Sequence, residues 1–262
     1  MANGAVFFDM DGTLIDSKNG IRLPTSKTME AIRRLRDRGF LTVLATGRSK
    51  CYIPEEFWAF DGYITSNGAY AEVDGTPLFS EFVQRDALHA LASYLDRIGI
   101  NYMVEGQEAC YVKDINEYYY KRMMERFNFP DHSYYPLTDL DCIQVNKLMV
   151  SYDRPEKAEQ FMRDYGHAYT ITGHPVNQSC DVSIIGITKG YGVRKVMEHF
   201  GLDRSSAYAF GDADNDLDML GAVGTGIAMG EHTPALETVA VHITRTVRDE
   251  GIYEALVFLG LI

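Results

Sequence analysis

Cysteine is scarce in this sequence and occurs in no pattern that binds metal or builds a disulfide framework. The 262 residues include four cysteines, which lie far apart and never in C-x-x-C spacing. This distribution favours reduced thiols with a structural role. A cysteine-based metal site and a disulfide-stapled fold are therefore not expected. The four residues are Cys51, Cys110, Cys142 and Cys180.

Long apolar runs are missing as well. No segment approaches the ~20 apolar residues that a membrane-spanning helix needs. The run Ala5–Phe8 is followed by Asp9 and Asp11, too early for the apolar region of a secretory signal. We therefore expect a cytoplasmic protein with no membrane partner.

Positive charge is in deficit. The 25 lysines and arginines are outnumbered by 37 aspartates and glutamates, which gives a formal net charge of −12. Such a charge argues against a general affinity for nucleic acid or for anionic membranes. An anionic substrate must then be held by local positive groups.

Short apolar runs alternate with helical patterns towards both ends of the chain. Strands are predicted at Ala5–Phe8, Phe40–Thr46 and Ala207–Phe210. Helices are predicted at Thr25–Arg38 and around Val193–Phe200, the latter closed by a glycine. This alternation predicts an α/β fold with a doubly wound parallel sheet, in which ligands bind at the carboxyl ends of the strands.

The middle of the chain, from Phe82 to Val182, has a mixed pattern of its own. A helix is predicted over Leu88–Ile98 and a strand over Gln144–Tyr152, and Pro155 is well placed to begin another helix. We interpret this segment as a candidate inserted domain, although no linker rich in Gly, Ser or Pro marks its edges.

Two carboxylates, Asp9 and Asp11, stand two residues apart at the end of the first predicted strand. In an extended segment, residues i and i+2 point to the same side, so both could act on one substrate. One carboxylate could be a metal-bound nucleophile and the other a proton donor. Taken alone, the motif is also compatible with a solvated acidic turn.

Three further polar motifs occupy strand ends or helix starts. Thr46-Gly47-Arg48 follows the second predicted strand and could hold a phosphate oxygen. Lys189 lies where a helix begins and could meet an anion there. The acidic run 212–216 could ligate a hard cation, and its spacing favours magnesium over calcium. Each motif has an ordinary alternative, respectively a plain turn, a solvated lysine and an acidic helix cap.

Together, and in this order, the four motifs resemble the motif set of the haloacid dehalogenase superfamily. The match covers residues 1–81 and 183–262, which would form a Rossmann-like catalytic core. Residues 82–182 resemble the inserted α/β cap of the Cof-type subfamily, class IIB, which includes sugar-phosphate and cofactor phosphatases. The resemblance implies that this cap closes over the site and supplies most contacts to the substrate.

The resemblance also implies a two-step covalent mechanism. Asp9 would attack phosphorus to give an aspartyl-phosphate, while Asp11 protonates the leaving group and then activates water. Mg²⁺ would be held by the Asp9 carboxylate, the Asp11 backbone carbonyl and Asp212. Asp216 or Asn215 would support the ion, and whether Asp216 binds it directly or through water stays open.

Four residues would bind the phosphate oxygens by the same resemblance. They are Thr46, Gly47, Lys189 and Asn215. Contacts to the rest of the substrate are less defined, and the candidates are Arg48 together with His174 and Asn177. The last two are predicted to lie in a loop before the final strand of the cap.

Two other functions would share the core motifs. A phosphotransferase or mutase would pass the aspartyl-phosphate to another hydroxyl, but the familiar sugar phosphomutases of this superfamily carry a small helical cap between the first two motifs. Here only Asp16–Phe40 separates them. A catalytically silent, phosphate-binding regulator would usually lack a core carboxylate or the lysine. The preferred function is a phosphatase for a small phosphorylated metabolite, acting as a monomer or small homo-oligomer.

Overall fold

The computed structural model describes residues 2–127, 133–174 and 177–262. The chain divides into two compact units. The first consists of Met1–Gly47, Glu55–Phe79 and Thr188–Ile262, and the second of Arg48–Pro54 and Ser80–Ile187. The predicted roles of a catalytic core and a specificity cap stay predictions at this point.

Strands and α-helices alternate along most of the chain. In chain order they are β1 (Gly4–Phe8), α1 (Ser26–Asp37), β2 (Phe40–Ala45), β3 (Gly62–Thr65), β4 (Tyr70–Val73), β5 (Thr76–Ser80), α2 (Arg85–Ile98), β6 (Asn101–Glu105), β7 (Cys110–Val112), α3 (Tyr118–Phe127), β8 (Tyr134–Pro136), β9 (Lys147–Ser151), α4 (Pro155–Tyr165), β10 (Tyr169–His174), β11 (Ser179–Ile184), α5 (Lys189–Phe200), β12 (Ala207–Gly211), α6 (Leu217–Ala222), β13 (Thr225–Ala228), β14 (His242–Ile243) and α7 (Gly251–Phe258).

The sheet of the first unit has the strand order β14-β13-β12-β1-β2-β3-β4-β5. Its strands run parallel from β14 to β3, whereas β3 and β4 are antiparallel. The predicted α/β fold with a parallel sheet is therefore confirmed. Sequence analysis missed β4 and β5, although Asp74-Gly75 between them is a common hairpin signal.

Strand β1 lies at the centre of this sheet and is buried along its whole length. Ala5 and Phe7 belong to one core cluster with Val193 and Val196 of α5. Side chains of a strand alternate between its two faces, so Phe8 points the other way, where it stacks on Phe210 with ring centroids 5.3 Å apart. Packing on both faces fixes the end of β1 and therefore the place of the residue that follows it.

The local signals for helices were accurate. The Thr25 side chain, at the predicted start of α1, caps this helix by accepting a hydrogen bond from the Thr28 amide at 3.1 Å. Helix α5 ends at the predicted glycine, Gly201, and α2 also ends at a glycine, Gly99. These features depend on short stretches of sequence, which explains why they could be recognised.

The second unit has its own sheet, in the order β10-β11-β9-β6-β7-β8. Residues of α2 and α4, such as Leu91 and Phe161, pack with Leu148 and Val182 on one face of this sheet. The predicted strand Gln144–Tyr152 is present as the shorter β9. His174 was expected in a loop, but it is the last residue of β10, where it pairs with Ser179 of β11.

In the part of the chain that the structure describes, no helix has the length and apolar character needed to cross a membrane.

The turn Ser66–Gly68 connects β3 to β4 in an uncommon conformation. Its three residues have positive φ angles of 52°, 55° and 96°. Gly68 packs so closely on the backbone of Thr188 that a Cβ atom there would overlap the Thr188 carbonyl oxygen. Only glycine fits at this position, and the turn consequently sits beside the first residue of α5.

We expect Gly68→Ala to lower the free energy of unfolding by about 3 kcal/mol or more, because a strained φ and a backbone overlap add together. Gly75→Ala is the matched control, since Gly75 also has a positive φ, of 71°, but its Cβ would meet no described atom within 4 Å. That variant should lose only about 1 kcal/mol. Urea unfolding measures both, and equal losses would contradict the close packing of this turn.

Candidate active site

Three of the predicted motifs meet at one edge of the first unit's sheet. Asp9 follows β1, Thr46 follows β2 and Asp212 follows β12. Strand β1 lies between β2 and β12, and all three are parallel, so their carboxyl ends are neighbours. The backbone continues this arrangement beyond the strands, because the Asp9 amide donates to the Phe210 carbonyl at 3.0 Å.

Lys189 brings the motifs into direct contact. It is the first residue of α5 and is only 1 % exposed. Its Nζ donates hydrogen bonds to Asp9 Oδ1 and, at 2.7 Å, to Asp216 Oδ1. The alternative of a solvated lysine is therefore wrong, because the ammonium is buried and paired with two carboxylates.

Asp216 organises the acidic loop after β12. Its Oδ2 accepts hydrogen bonds from the amides of Asp212 and Ala213, at 3.0 and 3.1 Å, while Oδ1 accepts from Lys189. Part of its role is thus that of the helix cap considered as an alternative. The remaining part is to pair with the buried ammonium, which an ordinary cap does not do.

The carboxylates of Asp9, Asp212 and Asp216 form the candidate metal centre. Each offers one oxygen, and the three oxygens lie within 4.8 Å of one another. Thr13, which is fully buried, donates from Oγ1 to Asp212 Oδ1 at 3.2 Å and holds that side chain towards the cluster. A set of hard oxygen donors suits Mg²⁺ or a similar cation.

The burial and close approach of these carboxylates change their pKa values. Burial and the nearby Asp216 carboxylate raise the pKa of Asp9 well above its ordinary value, against the lowering effect of Lys189. Burial and Asp216 also raise the pKa of Asp212 to about 7. Burial alone would lower the pKa of Lys189, but Asp216 and Asp9 raise it. The cluster therefore favours an added positive charge, either protons or a bound cation.

Asp11 differs from the buried residues around it because it is exposed. Strand β1 ends at Phe8, so the premise that Asp9 and Asp11 belong to one extended segment does not hold. Gly12 lies in the loop that leads from Asp11 to α1. It is tightly packed, because a Cβ atom there would overlap the carboxylate of Asp212. The first and last motifs are thus packed against each other at Gly12.

A second group of contacts joins Thr46, Gly47 and Asn215. Thr46 is 1 % exposed, and its carbonyl accepts from the Asn67 amide at 3.2 Å. Asn67 Oδ1 accepts from Asn215 Nδ2 at 3.4 Å and would lie 2.8 Å from a Cβ on Gly47. Asn67 thereby connects the loops after β2 and β12.

Sequence analysis did not assign roles to three residues of this site. Thr13 lies two residues after Asp11, and Asn67 lies in the turn Ser66–Gly68. Thr188 caps α5 by accepting from the Tyr191 amide at 3.1 Å and also donates to Asp218 Oδ2 of α6. A threonine directly before the first residue of a helix is an ordinary N-cap signal, but no signal in the sequence indicates the contact of Thr188 with α6.

The predicted contacts to the rest of the substrate lie in the second unit. Arg48, His174 and Asn177 all belong to it, whereas the residues described above belong to the first. His174 is 38 % exposed at its side chain, and its Nε2 lies 3.8 Å from Asp181 Oδ2.

Comparison with known proteins decides the family. A profile described as haloacid dehalogenase-like hydrolase matches residues 6–256. The chain belongs to this family. YkrA of Bacillus subtilis strain 168 is 29 % identical over 271 residues, covering all of both chains. The HMP-PP phosphatase of Enterobacter sp. strain 638 is 29 % identical over 249 residues, covering 90 % of this chain and 87 % of the relative.

A solved structure supports the same assignment. The subclass IIB sugar phosphatase BT4131 is 26 % identical, and the two structures superpose with a TM-score of 0.85 over 99 % of this chain and 100 % of that one. The predicted family and enzyme class, a phosphoric monoester hydrolase, are confirmed.

The raised pKa of Asp212 predicts a pH dependence of stability in the presence of a chelator. Between the ordinary value of 3.8 and about 7, the folded protein keeps a proton that the unfolded chain has released. The free energy of unfolding should therefore fall as pH rises through this window. Asp212→Asn should reduce the fall and stabilise the chelated protein at pH 8 by about 1–3 kcal/mol.

Asp214→Asn is the control, because it removes the same charge from an exposed position of the same loop. It should leave the pH dependence close to that of the wild type. Thermal unfolding between pH 5 and 8 in EDTA measures all three proteins. If the free energy of unfolding of Asp212→Asn falls with pH as steeply as that of the wild type, the pKa of Asp212 is not raised in the folded protein.

Proposed function

We propose that this protein is a magnesium-dependent phosphatase that hydrolyses small phosphorylated metabolites through an aspartyl-phosphate at Asp9. The observation that carries the proposal is the buried contact of Lys189 with both Asp9 and Asp216, next to Asp212. A nucleophile, a metal-binding carboxylate cluster and a phosphate-binding cation are thereby assembled at the ends of adjacent parallel strands.

Asp9 is the nucleophile. Its carboxylate attacks phosphorus, and the bond to the leaving oxygen breaks as the aspartyl-phosphate forms. Asp11, which is exposed and so reachable by substrate and water, donates a proton to that oxygen. It then takes a proton from the water that attacks phosphorus and returns Asp9 to its starting state.

Mg²⁺ fits the donor set of this site, since hard carboxylate oxygens lie close together there. Asp9 and Asp212 would hold the ion with the Asp11 carbonyl. The two oxygens of Asp216 already accept three hydrogen bonds, so we assign it an indirect, supporting role. When bound, the ion neutralises the repulsion between an anionic nucleophile and an anionic phosphate.

Thr46, Gly47, Lys189 and Asn215 bind the phosphate oxygens in this proposal. Lys189 is already aligned, because its ammonium is fixed by two carboxylates and by the start of α5. A charge held in place before the reaction costs little reorganisation in the transition state. Asn67 contacts both the Asn215 side-chain amide and Gly47, and so fixes the position of that amide relative to the turn at Gly47.

The second unit determines the substrate in this proposal. The relatives named above include a sugar phosphatase and an HMP-PP phosphatase, which supports a small phosphorylated metabolite as the substrate. Arg48, His174 and Asn177 are the residues of this unit to which we assign leaving-group contacts.

A phosphotransferase would use the same aspartyl-phosphate, and a silent regulator would bind phosphate only. All core residues are present, which favours an active enzyme over a catalytically silent regulator. They are Asp9, Asp11, Lys189 and Asp212. An exposed Asp11 favours water as the acceptor, since it can activate a water molecule directly. Inorganic phosphate as the product, rather than a transferred phosphate ester, separates these functions.

Asp9→Asn should reduce kcat by at least about a thousandfold, because the amide is nearly isosteric but a poor nucleophile. The assay is hydrolysis of p-nitrophenyl phosphate and a panel of sugar phosphates with Mg²⁺. Wild-type activity should vanish after chelation and return when Mg²⁺ is added. Asp214→Asn serves as the control for a change of charge alone. A folded Asp9→Asn protein that keeps more than about a tenth of kcat would falsify the assignment of the nucleophile.

His174→Ala and Asn177→Ala should change the order of preference among sugar phosphates and raise KM for large substrates several-fold. Their effect on a small activated ester should be much weaker, because contacts to phosphorus from the first unit are unchanged. The measurement is kcat/KM for several sugar phosphates and for p-nitrophenyl phosphate. If both variants depress every substrate equally, the division between chemistry and specificity is wrong.

A further inference from the structure

The segment Arg48–Pro54 packs with the second unit, although Gly47 before it and Glu55 after it belong to the first. It begins one residue after the Thr46-Gly47 turn, and Arg48 is its first residue. Lys50–Tyr52 within it forms a short 3-10 turn. Some contact must therefore hold these few residues to the second unit.

Glu105 makes that contact. It is the last residue of β6 and is completely buried. Its Oε2 accepts hydrogen bonds from Ser49 Oγ and from the Tyr52 hydroxyl, both at 2.7 Å. Because the two donors stand three residues apart in one turn, the carboxylate fixes the turn at two points and so restrains both its position and its rotation.

The surroundings of Glu105 hold its side chain in place, although burial raises its pKa above the ordinary value. Lys147 is its partner in the β6–β9 register, and Lys147 Nζ lies 3.5 Å from Glu105 Oε1. Lys147 is only 2 % exposed and also donates to Asp181 Oδ1 at 2.9 Å. A buried carboxylate is costly unless it is paired and hydrogen-bonded, and this one is both.

Apolar contacts complete the attachment of the turn. The ring of Tyr52 packs with Met103, Cys110 and Met149 of the second unit's sheet. Cys51 Sγ lies 3.4 Å from Cys110 Sγ. Cys110 is also the register partner of Glu105 in the β6–β7 pair, so the thiol contact and the carboxylate contact hold the turn at adjacent points.

We propose that Glu105 is a positioning residue that, through Ser49 and Tyr52, holds Arg48–Pro54 on the second unit and thereby sets the place of Arg48 for the substrate. The part that concerns substrate rests on the proposed phosphatase function. Glu105 itself touches neither substrate nor metal in this proposal. Its loss should therefore act on KM through Arg48 and leave kcat nearly unchanged.

Hydrogen exchange tests the attachment without reference to catalysis. Tyr52→Phe keeps the ring and removes one hydroxyl bond to Glu105, and Ser49→Ala/Tyr52→Phe removes both. Amide exchange at Tyr52 and Ile53 should accelerate by about tenfold in the first variant and more in the second. Tyr94→Phe is the matched control, because Tyr94 donates a similar 2.6 Å bond to Asp164 elsewhere in the same unit. It should not alter exchange in the segment.

Kinetics test the consequence for substrate. Tyr52→Phe should raise KM for the best sugar phosphate about three- to tenfold with kcat nearly unchanged. In an Arg48→Ala background the same substitution should have little further effect, because the residue that it positions is gone. Ser49→Thr, which keeps a hydroxyl, should behave like the wild type. Tyr94→Phe should not change KM.

A covalent replacement for the lost bonds supplies a rescue. In a Cys142→Ser background, diamide can oxidise Cys51 and Cys110. Each thiol loses its hydrogen, an S–S bond forms, and the N=N bond of diamide is reduced to a hydrazine. This tether should restore slow exchange and low KM to Ser49→Ala/Tyr52→Phe, and dithiothreitol should reverse the rescue. Cys51→Ser is the control that cannot form the tether.

The outcomes separate the possible failures. Unchanged exchange in the double variant, no formation of the tether, or a tether that forms without restoring KM would overturn the proposal. A KM effect as large in Arg48→Ala as in the wild type would also overturn it, since Glu105 would then act by another route. If the wild type hydrolyses no phosphate monoester, the proposed function fails, and the exchange data still decide whether Glu105 holds the segment.

Discussion

The burial of the Lys189 ammonium between Asp9 and Asp216 is the interaction on which the rest of the site depends. A lysine that is 1 % exposed would be strongly unfavourable without partners, and the carboxylates would repel one another without it. Breaking such a buried pair typically costs 3–5 kcal/mol. The same contact joins residues 180 positions apart in the chain, so folding the first unit and assembling the site are one process.

The parallel sheet makes this contact possible. Adjacent strands β2, β1 and β12 release Thr46, Asp9 and Asp212 at one edge, while α5 presents Lys189 to the same place. The turn Ser66–Gly68 then fits against Thr188 because glycine leaves no side chain there. The site is therefore built from strand ends, the start of a helix and a tight turn, and not from a long loop.

The sequence was most informative where a signal is local. The start of α1, the glycine that ends α5 and the apolar run of β1 depend on a few neighbouring residues, and all three were correctly predicted. His174 was misplaced in a loop because its place in β10 is set by pairing with β11, which the local sequence does not reveal. The contacts of Glu105 with Ser49 and Tyr52 join residues more than fifty positions apart, and no periodicity or motif announces them.

Direct detection of the covalent intermediate tests the central claim, that Asp9 itself accepts the phosphoryl group. Asp11→Asn should form the aspartyl-phosphate from p-nitrophenyl phosphate, whose leaving group needs no proton, but should hydrolyse it slowly. Acid quenching, borohydride reduction and peptide mass spectrometry should then find homoserine at position 9, and none in Asp9→Asn/Asp11→Asn. Phosphate trapped on another residue, or no trapped phosphate while the wild type turns over, would contradict the account.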